Sequence, residues 1–164
     1  MDKIEIKGYK SFKDLKLELK PINILIGANG SGKSNFLSFF EFLNRLYEQK
    51  LTEYVALGGG IDKYFFQGSK LTDEKKKKID FVDNFYLFEL KEGDNRFVVS
   101  QEGLGYHNNY YDIAQFRNEA NIKPYDGLLR GSYIKKYLSE IKKYHFHDTG
   151  KSSPFTKESH IVND

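Results

Sequence analysis

Gly27-Ala28-Asn29-Gly30-Ser31-Gly32-Lys33-Ser34 has the spacing G-x-x-x-x-G-K-S, between an apolar run, Ile22–Ile26, and a stretch of helical periodicity. Strand, glycine loop and helix in that order are the context a phosphate-binding loop needs. Glycines let the backbone curl so that successive N–H groups face one oxyanion, with the positive end of the next helix behind them. Lys33 supplies a point charge for β- and γ-phosphates, and the Ser34 hydroxyl is a ligand for Mg²⁺ bridging them. A chance match in a chain of 164 residues is roughly a 1% event. A Gly/Ser linker containing Lys33 by accident would not be framed by an apolar strand and a Phe-rich helix.

The flanking pattern predicts the elements that hold this loop. Ile4 and Ile6 alternate with charge in a first strand ending near Ser11. Leu15, Leu17 and Leu19 alternate with charge in a second strand, wet on one face. Pro21 breaks the run, and Ile22–Ile26 reads as a strand buried on both faces. From Ser34 to about Gln49, Phe36, Phe39, Phe40, Leu43, Leu46 and Tyr47 recur at helical steps. Leu37 and Phe42 widen that stripe, so the helix is expected to be covered on more than one side. The stripe reads as core, not as an aromatic ligand box.

Further along, the signals thin out. Gly58-Gly59-Gly60 is a loop, and Tyr64-Phe65-Phe66 suits a short strand. Lys75-Lys76-Lys77-Lys78 reads as a solvated turn, with DNA phosphate contact the functional alternative. Phe81–Leu90 and Arg96–Gln101 are strand-like, joined by the turn Glu92-Gly93-Asp94-Asn95. Gly103–Asn109 looks irregular, and Ile113–Asn121 weakly helical. Ser132 is placed to cap a helix running to about Lys143. Tyr144–His147 reads as a strand and Asp148–Asp164 as a polar linker.

Composition narrows the function classes. Lys+Arg 26 against Asp+Glu 23 is nearly balanced and argues neither for nor against a nucleic-acid partner. The absence of cysteine excludes disulfides, zinc-thiolate sites and thiol nucleophiles. The N-terminus alternates with charge instead of forming an apolar leader, and no run approaches the ~18 apolar residues of a membrane span. A cytoplasmic chain without membrane contact is the expectation.

Three segments raise a family resemblance. Ile6-Lys7-Gly8-Tyr9-Lys10-Ser11-Phe12-Lys13-Asp14 resembles the opening strand of SMC- and RecF-type ATPases of the ABC class. Gly27-Ala28-Asn29-Gly30-Ser31-Gly32-Lys33-Ser34-Asn35 resembles their phosphate loop, including both Asn. Tyr144-His145-Phe146-His147-Asp148-Thr149 is similar to a segment of a RecF-like subgroup described as AAA-type ATPases. The resemblance implies an α/β P-loop NTPase head lobe with an N-terminal antiparallel sheet and a mixed or parallel core sheet around the P-loop helix. Residues 1–148 would form this lobe, and 149–164 a linker to a C-terminal lobe. Gly27 to Asn35, with Lys10 and Ser11, would bind ATP, and Ser34 would hold Mg²⁺. Two heads would sandwich two ATP molecules as a homodimer acting on DNA or a partner such as a nuclease, in settings such as DNA repair or phage defence.

The same resemblance places a Gln at the strand end now held by His147, Asp148 and Thr149, which makes His147 and Asp148 weak catalytic candidates and Asp148 a weak Mg²⁺ ligand. His145 and His147 also have a metal-ligand spacing, though a strand end near nucleotide explains them better. An acidic strand end of the Walker B kind is missing; Phe85-Tyr86-Leu87-Phe88-Glu89 comes nearest. Leu57-Gly58-Gly59-Gly60 only mimics the family's signature. ATP hydrolysis is therefore expected of a longer protein and not of these residues alone. A self-contained small-molecule kinase, or a nucleotide-binding module without hydrolysis, is the alternative. Against the kinase, Arg45, Arg96, Arg117 and Arg130 do not cluster into a lid.

Overall fold

The computed structural model describes residues 1–68, 76–81, 83–94, 96–127 and 129–142. Six strands form one sheet: β1 (Lys3–Tyr9), β2 (Phe12–Glu18), β3 (Lys76–Phe81), β4 (Asn84–Gly93), β5 (Arg96–Tyr106) and β6 (Asn109–Ala114). Their order is β2-β1-β3-β4-β5-β6, and every pairing is antiparallel. Helices α1 (Lys33–Tyr47), α2 (Leu51–Leu57) and α3 (Leu129–Ser139) complete the fold, with a 3-10 turn at Ile61–Tyr64. This is the expected antiparallel sheet; a parallel core sheet does not occur among the described residues.

The period-two pattern of β1 decides which face is buried. Ile4 and Ile6 pair with Leu17 and Leu15 of β2 and are fully covered. The opposite face is a chequerboard of charge. Lys3 stands across from Glu18 and Asp80, Glu5 from Lys16 and Lys78, and Lys7 from Asp14. Opposite charges at facing positions favour this register by about 0.2–1 kcal/mol per pair.

The core is aromatic. Tyr9 meets Phe39 and Phe42 of α1 edge-on at centroid distances of 5.3 and 5.4 Å. Phe42 and Phe65 meet Phe97 of β5 at 5.8 and 4.9 Å. Offset and edge-on pairs of this kind add about 0.5–1.5 kcal/mol each to their burial. Ile134 and Leu138 of α3 close the same core, and the Asn44 amide donates to Ile141 O at 3.3 Å.

Several sequence expectations need correction. Ile22–Ile26 is neither a strand nor buried: Ile22, Ile24 and Ile26 are 82%, 79% and 90% exposed. Its apolar character has no covering layer among the described residues. Leu37 is likewise half exposed, whereas Phe42 is fully buried and no residue from Ser38 to Tyr47 is exposed, so beyond its first turn α1 is covered on more than one side as expected. The lysine run is not a solvated turn where it is described: Lys76–Phe81 is an interior strand, and Lys77 is buried between Ile6 and Phe88 on the core face.

Gly103 and Gly105 do not interrupt β5. The rings of Tyr110 and Phe85 occupy the space where their side chains would stand. Ile113–Asn121 is not a helix: Ile113 and Ala114 end β6, and residues 115–121 are neither helix nor extended strand. Tyr64–Phe66 forms only a single bridge to Tyr9, and Ser132 lies inside α3. The Tyr144–His147 strand and the linker lie outside the described residues. No helix among those described is long and apolar enough to cross a membrane.

Candidate nucleotide-binding site

The loop between Ile26 and α1 has the backbone its glycines permit. Gly30 and Gly32 take φ of 83° and 94°, in the left-handed region. At Gly32 the need is also steric: a Cβ there would stand 3.2 Å from both the Phe12 ring and Ser11 Oγ. Helix α1 then starts without a side-chain cap and without an acidic residue in its first turn. Its first hydrogen bond from a described neighbour is Phe36 N–H to Gly32 O, 2.9 Å. The N–H groups before it, and the positive end of a 15-residue helix, are thus not neutralised by a side chain of this turn.

Lys33 spans the loop. Its ammonium donates to Gly27 O at 2.6 Å, to Ala28 O at 2.8 Å and to Ser31 Oγ at 3.3 Å. These bonds tie the first turn of α1 to the start of the loop and hold the charge beside the curled backbone. The chemistry of the group suits an anion: the Lys33 ammonium lies at the uncapped, positive start of α1 beside a glycine-rich backbone.

The β1–β2 turn forms the second wall. Lys10 adopts φ of 47°, uncommon for a residue with a side chain. It donates to Ser38 Oγ of α1 at 2.9 Å, and its ammonium lies 5.2 Å from the Tyr64 ring centroid. Ser38 donates in turn to Asn35 O at 2.8 Å, and the Tyr9 hydroxyl lies 3.1 Å from Ser38 Oγ. Burial holds the Tyr9 phenol well above its usual range, so it stays a neutral member of this network. The Asn35 amide donates to Ser11 Oγ at 3.0 Å. Lys10, Ser11 and Asn35, separated by up to 25 positions, are therefore joined through short hydrogen-bonded links by way of Ser38, and Asn35 stands two residues from Lys33 at the start of α1.

A recess of about 450 Å³ opens beside them, lined by Lys10, Asn35, Gly58, Lys63, Tyr64 and Phe65. Sequence reasoning missed Lys63, Tyr64 and Ser38. The glycine run before Ile61 was the available signal, because it lets the chain turn back onto β1. There Lys10 N–H donates to Tyr64 O at 3.1 Å and Phe66 N–H to Gly8 O at 3.2 Å. His145, His147 and Asp148 lie outside the described residues, so this geometry includes none of them. Among those described, no cluster of three His, Cys, Asp or Glu could hold a metal ion.

Comparison with known proteins gives the family. The profile of the AAA ATPase domain family matches residues 1–159. The chain is 46% identical over 106 residues to the chromosome partition protein Smc of Methanocaldococcus jannaschii, covering 64% of this chain and 8% of that protein. It is 41% identical over 44 residues to the DNA replication and repair protein RecF of Lactococcus lactis subsp. cremoris, covering 26% of this chain and 12% of RecF. The aligned regions are thus a small part of either relative's length. No solved structure matches. With a family profile spanning nearly its whole length, the chain belongs to the AAA ATPase domain family, as an SMC/RecF-like ATPase region.

Proposed function

We propose that Gly27–Ser34, with Lys10, Ser11 and Asn35, binds the phosphates of ATP, and that the chain is the ATP-binding lobe of an SMC/RecF-like ATPase. The observation that carries this reading is the Lys33 ammonium tied across the loop to Gly27 O and Ala28 O at the uncapped start of α1. In it, the amides of the loop and of the first turn of α1 receive phosphate oxygens and Lys33 neutralises their charge. Ser34 would hold Mg²⁺, which supplies further neutralisation between the phosphates.

The rest of the ATPase lies elsewhere in this reading. The Lys33 ammonium is held by Gly27 O, Ala28 O and Ser31 Oγ, none of them an acid able to orient water, so in this reading these residues bind nucleotide and leave hydrolysis to groups of a second lobe. The exposed Ile22, Ile24, Ile26 and Leu37 support such a lobe, because an uncovered segment this apolar calls for a layer to cover it. Residues 1–148 form the first lobe and 149–164 the connection. Two copies then close around ATP and open after hydrolysis, a two-state switch acting on DNA or on a partner protein. The names of Smc, a chromosome partition protein, and RecF, a DNA replication and repair protein, favour DNA.

The test is Lys33→Ala with ATP·Mg²⁺ titrated by calorimetry. Loss of a charge-assisted contact predicts affinity lowered about ten-fold or more. Equal affinity in a folded variant overturns the assignment.

A further inference from the structure

Helix α2 is only seven residues long, below the length at which a helix holds itself together. Its N-cap position is Lys50, whose side chain makes no capping bond. The cap comes instead from Glu119, far along the chain. One carboxylate oxygen accepts from Leu51 N–H at 3.0 Å and the other from Thr52 N–H at 2.9 Å. A carboxylate bridging two first-turn amides both satisfies orphan donors and complements the helix dipole.

Glu119 is itself held firmly. Before it, Arg117 exchanges two backbone hydrogen bonds with Val99 of β5, at 2.7 and 3.1 Å. After it, the Gln49 amide donates to Ala120 O at 2.9 Å. The fully buried Glu102 then accepts from Asn121 N–H at 2.6 Å and Ile122 N–H at 3.0 Å. This segment reads as weakly helical in sequence; it forms no helix, yet it is fastened to β5 and to the end of α1.

The other end of α2 leads directly to the nucleotide recess. Gly58, Gly59 and Gly60 donate back to Tyr54 O, Ala56 O and Val55 O. The chain then makes the 3-10 turn that presents Lys63 and Tyr64 beside Lys10. Tyr64 packs so close to Gly58 that a Cβ there would lie 2.0 Å from its hydroxyl. α2 is thus a strut about 10 Å long, with Glu119 at one end and the recess wall at the other.

We propose that Glu119 is a positioning residue for the ATP site: by capping α2 it sets where Gly58, Lys63 and Tyr64 stand against Lys10. This rests on the reading that the recess belongs to the ATP site. Without the cap, the ordered wall becomes one of several states, and apparent affinity falls by the fraction that remains competent.

The experiment measures ATP·Mg²⁺ binding by calorimetry in four versions of the chain: wild type, Glu119→Ala, Glu119→Ala with Lys50→Asp, and Lys33→Ala. Hydrogen exchange is followed over residues 51–64. Glu119→Ala is expected to weaken binding about three- to ten-fold and to speed exchange in that stretch. Lys50→Asp places a carboxylate at the local N-cap and is expected to recover most of both losses. If Glu119→Ala does not fold, Glu119→Gln serves, since it keeps one acceptor and loses the other. Affinity within two-fold of wild type, or a loss that the local cap does not restore, overturns the proposal while a Lys33 effect leaves the ATP reading standing. If Lys33→Ala also binds as wild type, the ATP reading falls and this proposal with it.

Discussion

Two pairs of isoleucines teach different things. Ile4 and Ile6 of β1 are fully covered, while Ile24 and Ile26, just before the P-loop, are 79% and 90% exposed. The residue type is the same, and so is the alternation in chain position. What differs is a partner layer: β1 lies between β2 and β3 under α1, whereas Ile22–Ile26 pairs with no described strand. The fold therefore stands on the sheet and its aromatic contact with α1. The segment that leads into the P-loop adds little to that stability, and its apolar character serves something else.

The largest expected effect comes from breaking the covered side. Phe42 is fully buried and touches Tyr9, Tyr64 and Phe97. Phe42→Ala should lower unfolding free energy by about 3–5 kcal/mol, read from urea titration. A loss below about 1 kcal/mol would mean that the core is centred elsewhere.

A second, smaller effect separates the core face from the charged face by pH. Burial lifts the Glu102 carboxyl above its ordinary value of 4.5, against the pull of its bonds from Asn121, Tyr86 and Ile122. The folded chain then holds that proton more tightly than the unfolded one. From pH 4.5 up to the raised value this group makes stability fall as pH rises. Glu5 on the charged face behaves oppositely: its bond from Lys3 holds its carboxyl below 4.5. Its contribution is complete above 4.5 and is lost as pH falls through the lowered value. Stability against pH for Glu102→Gln and Glu5→Gln should each lose one of these opposed slopes; the same change in both would refute the contrast.

The smallest effect is expected at the uncovered segment. Ile24→Ser should change the stability of this chain by no more than about 0.5 kcal/mol, as for other exposed positions. A loss above ~2 kcal/mol would show that Ile24 is covered in solution and would erase the comparison.

The glycine loop stands out in sequence because its residues are local: the glycines, Lys33 and Ser34 lie within eight positions, and the left-handed Gly30 and Gly32 follow from their type. β1, β2 and α1 were legible from periodicity for the same reason. The interior place of β3 was hidden, because three lysines suggest water unless the strands on either side are known. β5 was cut short at Gly103, because sequence does not show that Tyr110 and Phe85 would lie across its glycines. α2 went unseen, since its cap is a carboxylate 68 positions away from Leu51. The wall formed by Lys63 and Tyr64 depends on that hidden helix. Lys10 and Ser11 came from family resemblance, and only the fold explains them, by turning β1 into β2 against the start of α1.

The bare run Ile22-Asn23-Ile24-Leu25-Ile26 also has a kinetic consequence. It carries no charge and favours extended pairing, the composition of an aggregation-prone segment. Pro21 and Gly27 limit how far such pairing can spread, and Asn23, bonded to both backbone groups of Lys20, pins the turn at its start. Within that window any strand can dock, including the same window of a neighbouring molecule. Docking by a tethered segment of the same molecule is independent of concentration, whereas docking by a neighbour scales with it. The yield of usable protein thus becomes a race, and crowding at high synthesis rates, rather than heat, is the stress this region resists least.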